Sequence, residues 1–206
     1  MGSSTADVNT RRNVATEAAT LLYFGLEKEY KQAKLRAAKT LSAHFLPTNL
    51  EVAKELDKMA EENEGAARMK RLVKMRMEAL NLMKILKRFS PVLVGSVWRG
   101  TIYRESDIDI IAYHNEPHEI LKLLKKRFKV LECSWAAVIK RGKPKKSFRI
   151  LIELPGSEKA EITVRGVEEF GIKETCEIYG DTITGLDIKE LEKVLAENPT
   201  KRFVPF

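Results

Sequence analysis

Cysteine is nearly absent from this 206-residue chain: only Cys133 and Cys176 occur, far apart and without paired spacing. That excludes a disulfide framework and a zinc knuckle, and both thiols read as core or partly buried side chains. No apolar run approaches the ~20 residues that a bilayer span requires. The N-terminus carries no basic-then-apolar signal pattern, so the expected setting is cytoplasmic, with no membrane partner. Long repeats, low-complexity tracts and disordered linkers are also missing. His114 and His118 lie four apart, but Pro117 and a change from strand to helix put them on different elements. They therefore read as ordinary surface histidines rather than a metal site.

What the chain has in quantity is charge. Hydrophobic residues make up 44%, enough for a globular core and a helical appendage. Lysine and arginine outnumber aspartate and glutamate by 37 to 29, for a net charge of +8 and a pI near 9.4. That surplus favours polyanionic partners such as nucleotides or nucleic acid.

From Arg12 to His44 apolar residues recur at three- and four-residue steps, which predicts one long amphipathic helix ending before Pro47. Thr48 or Asn49 can cap a second helix to about Glu62, with Asn63-Glu64-Gly65 as a connection. A third helix, about Ala66 to Phe89, sets an apolar stripe of Met69, Leu72, Val73, Leu80, Met83 and Leu86 against a basic face. Arg68, Lys70, Arg71, Lys74, Arg76, Lys84, Lys87 and Arg88 lie there with a single acid, Glu78. That face reads as solvated, with nucleic-acid tracking as the alternative. Exposed stripes on the N-terminal helices either support a homodimer or cover the sheet. Residues 1–65 form an expected helical extension and residues 66–206 the main domain.

The centre of the chain is Val92 to His114. Val92-Leu93-Val94 reads as a buried strand delivering the chain to a Gly95-Ser96 corner, where glycine lets backbone approach a ligand and serine offers a hydroxyl and an N–H to phosphate. In Asp107-Ile108-Asp109-Ile110 the side chains alternate. Both carboxylates then share one face, roughly 7 Å apart along the strand, with the isoleucines facing the core. Two like charges at that spacing read either as a solvated acidic face, the commoner case for a bare Asp-x-Asp, or as ligands for divalent cations such as Mg²⁺ or Mn²⁺. Downstream, strands are expected at about Val130–Lys140 and Phe148–Leu154, joined by Arg141 to Ser147. That connection, with Lys140, Arg141, Lys143, Lys145, Lys146 and nearby Arg149, is the densest positive patch in the chain. It reads either as a solubilising tip or as a contact for RNA, DNA or triphosphate. A short alternating strand, Ala160–Val164, carries Glu161, and a final helix is expected from an Asp187 cap to about Ala196.

An apolar residue, Gly95-Ser96, ten intervening residues and then Asp107-Ile108-Asp109 resemble the nucleotidyltransferase superfamily that includes DNA polymerase β. The connector Val97-Trp98-Arg99-Gly100-Thr101 is most similar to archaeal CCA-adding enzymes and oligoadenylate synthetases. The resemblance covers roughly Val92 to Val164. It implies an α+β fold, a nucleotidyltransferase-type mixed sheet with helices packed on it. It also implies two divalent ions held by Asp107, Asp109 and Glu161, the last in a position usually occupied by Asp. Gly95, Ser96 and Arg99 would hold the NTP. NMP would pass to an acceptor hydroxyl, with RNA as the leading acceptor. The alternative is an antitoxin-like enzyme that attaches AMP to a partner protein.

Overall fold

The computed structural model describes residues 5–140 and 143–205, with side chains described for 10–136 and 146–205. Among these residues, six α-helices accompany a mixed five-stranded sheet, so the fold is α+β. Helices α1 (Thr5–Tyr23), α2 (Tyr30–Thr40) and α3 (Asn49–Ile85) lead into β1 (Val92–Val94), and a five-residue helix α4 (Gly95–Arg99) follows at once. Then come β2 (Ile108–Tyr113), α5 (Pro117–Lys125), β3 (Lys129–Lys140), β4 (Lys143–Glu153) and β5 (Lys159–Arg165). A two-stranded ribbon of β6 (Glu174–Thr175) and β7 (Thr182–Ile183) precedes α6 (Ile188–Glu197).

The single N-terminal helix expected from periodicity is two helices. Gly25 adopts φ +67, a conformation that a side chain would resist, and the amides of Leu26 and Glu27 both donate to Leu21 O. Apolar spacing continues across this turn because α1 and α2 pack on each other, so the periodicity reports their shared interior rather than one rod. The next boundary follows expectation. Thr48 caps α3, receiving the Glu51 amide while the Glu51 carboxylate accepts from the Thr48 amide. The second and third expected helices run together as α3, bent where Gly65 leaves helical geometry at φ 50 and ψ −133.

The sheet order is β1-β2-β5-β4-β3, with β2 and β5 parallel and every other pair antiparallel. Alternation gives it two distinct faces. Ile108, Ile110 and Ala112 of β2, Ile150 and Ile152 of β4, and Ala160, Ile162 and Val164 of β5 are buried under α3, α5 and α6. The opposite face of the same strands carries Asp109, Glu161 and Thr163. A second apolar cluster, from Val14 to Ala60, joins α1, α2 and the first half of α3.

The hairpin differs from expectation. β4 begins at Lys143, paired with Lys140, where a loop to Ser147 was predicted; only residues 141 and 142 of that loop fall outside the described residues. Cys133 is exposed rather than buried, because it lies on the sheet-edge strand β3. No described helix is long and apolar enough to cross a membrane.

Candidate active site

Sequence order dictates how the acids meet. Parallel pairing of β2 with β5 places Asp109 directly opposite Glu161, and antiparallel pairing of β1 with β2 places Val94 opposite Asp109. The chain leaves β1 at Val94 and turns through Gly95, at φ +70, into α4. Asp109 and the Gly-Ser corner are thereby pressed together. A Cβ at residue 95 would overlap the Asp109 carboxylate outright, lying 2.8 Å from its Cγ. Glycine is required here by a specific carboxylate as well as by φ. Asp107 stands just before β2, and its carboxyl feels the charge of Glu161. Three carboxyls from two strands thus share one corner of the sheet.

Their electrostatics are unfavourable without a cation. Burial first, then the charges of Glu161 and Asp107, push the Asp109 carboxyl up to about 7. Arg149 works the other way. Asp107 is also raised, by burial, with Lys159 the largest opposing influence, followed beyond Glu161 by Lys28 and Arg71. The Arg149 guanidinium lies 3.6 Å from Glu161, and the Thr163 hydroxyl is 3.4 Å from the same carboxylate. Among the described residues, no three His, Cys, Asp or Glu side chains close a metal site by themselves. The donor set nevertheless fits hard divalent ions: all three groups offer carboxylate oxygens and their negative charge is crowded, with substrate phosphates and water the ordinary ligands that complete such a coordination sphere.

The connector between corner and acids is held from behind by α3. Arg68, Arg71 and Arg76, expected on a solvated basic face, turn inward, and the first and last are fully buried. Arg68 donates to Ile102 O at 2.7 Å and pairs with Asp57 and Glu61. Arg71 reaches Tyr103 O, Arg104 O and Ser106 O and forms a two-pronged pair with Glu158. Arg76 has four backbone carbonyl acceptors, on Val97, Trp98, Pro199 and Lys201. Burial alone lowers its pKa to about 10. Periodicity scores arginine as exposed and cannot reveal this. A partial signal was their three-, five- and eight-residue spacing on a helix whose next element begins the site.

Arg99, expected at the triphosphate, also faces inward. Its guanidinium pairs with Asp181 at 2.7 Å, donates to Phe203 O and lies over the rings of Trp98 and Tyr179. Trp98 is a core residue stacked near Phe203. Ser96 accepts the Thr101 amide through its carbonyl, closing the α4 turn. Of the basic tip, Lys146 is exposed; Lys140, Lys143 and Lys145 are described in backbone only, and Arg141 lies outside the described residues. Arg149, Lys159 and Lys28, which sequence reasoning did not assign to the acids, all act on them.

Residues 77–169 match the nucleotidyltransferase domain family, a span containing the corner and all three acids. The match supports a nucleotidyltransferase domain at the centre of the chain and does not single out CCA-adding enzymes. Similar solved structures include Cid1 in complex with the UTP analog UMPNPP, at 19% identity and TM-score 0.35, covering 54% of this chain and 36% of that one. Another is a cytoplasmic RNA terminal U-transferase, at 21% identity and TM-score 0.33, covering 54% and 35%. This chain thus spans about a third of the length of those structures. No curated protein matches it.

Proposed function

We propose that the protein is a metal-dependent nucleotidyltransferase that moves NMP from an NTP to an acceptor hydroxyl, with RNA as the acceptor class. The observation that carries this reading is Asp109: a half-buried carboxyl, in register with Glu161 and pressed against a glycine corner, whose ionisation is opposed by its own surroundings. Asp107, Asp109 and Glu161 would hold two divalent ions, which when bound neutralise the phosphates and the attacking oxygen. The backbone N–H groups and hydroxyl of the Gly95-Ser96 corner would receive the β- and γ-phosphates. The acceptor hydroxyl releases its proton to solvent water, its oxygen bonds to the α-phosphorus, the bond from that phosphorus to the bridging oxygen breaks, and pyrophosphate leaves in line. Arg149 and Lys159 flank the acids and temper repulsion as the polyanion enters. The net charge of +8 supports a polyanionic acceptor.

The test is transfer from α-³²P-labelled ATP, CTP, GTP and UTP, with Mg²⁺ or Mn²⁺, to total RNA and total protein in parallel. Label in RNA that vanishes in Asp107→Ala/Asp109→Ala establishes the reading. Label in protein instead moves AMP attachment to a partner protein into first place, and no label in either refutes both.

A further inference from the structure

The loop between α1 and α2 does not face away from the acids. A Cβ at Gly25 would lie 3.3 Å from the Glu105 carboxylate, two residues before Asp107. Arg104 stands 5.8 Å from the centre of the Phe24 ring and 5.9 Å from that of Tyr23. Lys28, at the far end of the loop, is among the cations whose charge reaches Asp107. Within this short segment Phe24 is 53% and Leu26 57% exposed, and neither joins the apolar cluster beneath. Scattered exposed apolar residues need no explanation. Two within three positions, flanked by Arg104 and Lys28 and set at the edge of a phosphate-transfer site, form a surface of definite chemistry.

The loop is also held in shape. Arg36 pairs with Glu27 at 3.0 Å and donates to Leu26 O, while Leu21 O receives the amides of Leu26 and Glu27. Tyr23 is buried and meets Phe24 edge-on, with centroids 5.1 Å apart, which fixes the ring. A fixed aromatic with most of its surface open, beside cations, is what stacking on a nucleobase requires.

We propose that Phe24 and Leu26 form a nucleobase-binding lip on the active site, with Lys28 as the cation facing the phosphates of the same nucleotide. The lip is contributed by the N-terminal helices and rests on the transferase reading of the acids.

Isothermal titration of the full chain in Mg²⁺ buffer with the four NTPs, tripolyphosphate and a 3′-hydroxyl oligoadenylate tests this. Phe24→Ala is expected to weaken NTP binding about tenfold and leave tripolyphosphate unaffected, and Phe24→Trp to restore it. Lys28→Ala is expected to weaken both. A Phe24→Ala loss confined to oligoadenylate supports the lip with the acceptor's base as its occupant. Unchanged affinities in both alanine variants, with wild-type melting temperatures, overturn the lip and leave the transferase reading standing. Wild-type protein that binds none of these ligands overturns both.

Discussion

Gly95 and Asp109 form one unit at the residue scale, because the space a side chain would need at 95 is filled by the carboxylate. Gly95→Ala must displace Asp109 and hold a side chain at positive φ, a backbone strain of about 1–2 kcal/mol before any clash. Transfer activity is expected to fall at least about a hundredfold, the order seen for displaced catalytic geometry, while circular dichroism still reports a folded chain. Asp109 also predicts a pH dependence. Its carboxyl titrates near 7 in the folded chain and near the ordinary 3.8 in the unfolded one. Between those values the folded state holds a proton that the unfolded state has released. Metal-free stability must therefore fall as pH rises from about 4 to about 7 and level off above. Asp107, raised in the same sense, adds to the slope. Melting in EDTA from pH 5 to 7.5 should show a decline that is shallower in Asp109→Asn; equal slopes would refute this account. Asp107, Asp109, the corner and the alternation were legible in sequence because short-range spacing sets them, whereas Glu161 followed from the family resemblance, since its meeting with Asp109 depends on the β2–β5 pairing. Arg149 was legible only as part of a charge run, since its approach to Glu161 depends on a β4–β5 register that spacing does not fix.

At the scale of elements, α3 is the scaffold of the connector. Its arginines brace residues 97–106 by donating to the carbonyls of Val97, Trp98, Ile102, Tyr103 and Ser106. Helical periodicity located α3 and its Thr48 cap, and Gly65 marked the bend. It misassigned the basic face, because a pattern of charge cannot distinguish a solvated guanidinium from one spent on carbonyls. It also fused α1 with α2, since Gly25 alone marks their turn. Arg76→Met is expected to lower stability by about 3 kcal/mol or more, leaving several buried acceptors unsatisfied, as measured by urea unfolding. Arg76→Lys should rescue little, because one ammonium cannot span acceptors on Val97, Trp98, Pro199 and Lys201. Arg71→Gln, half-exposed and bonded to the connector next to Asp107, should cost less stability and more kcat. If its kcat stays at the wild-type value, the connector is not positioned by α3.

Across the whole molecule, charge is distributed unevenly against a compact two-cluster interior. The ladder between β4 and β5 reaches only Phe148 and Val164, while β3 and β4 continue pairing to Lys140 and Lys143. The hairpin therefore projects past its neighbour as a two-stranded arm, a form marginal in water on its own. Its register sets Lys140 opposite Lys143 across the last rung of the ladder. Sequence reading found the charge and the two strands but started the second at Phe148, whereas strand pairing begins at Lys143. An arm whose sequence is this rich in lysine and arginine suits a phosphate backbone laid against it. Replacing Lys140, Arg141, Lys143, Lys145 and Lys146 with alanine should leave the melting temperature unchanged or higher. In filter binding to single-stranded RNA, the slope of log affinity against log salt should become shallower by roughly 0.7 for each phosphate that the arm no longer neutralises. Transfer to a dinucleotide acceptor, too short to reach the arm, should persist. A salt slope identical to wild type would mean the arm's charge serves solubility alone, and the polyanion's path over the molecule would have to begin elsewhere.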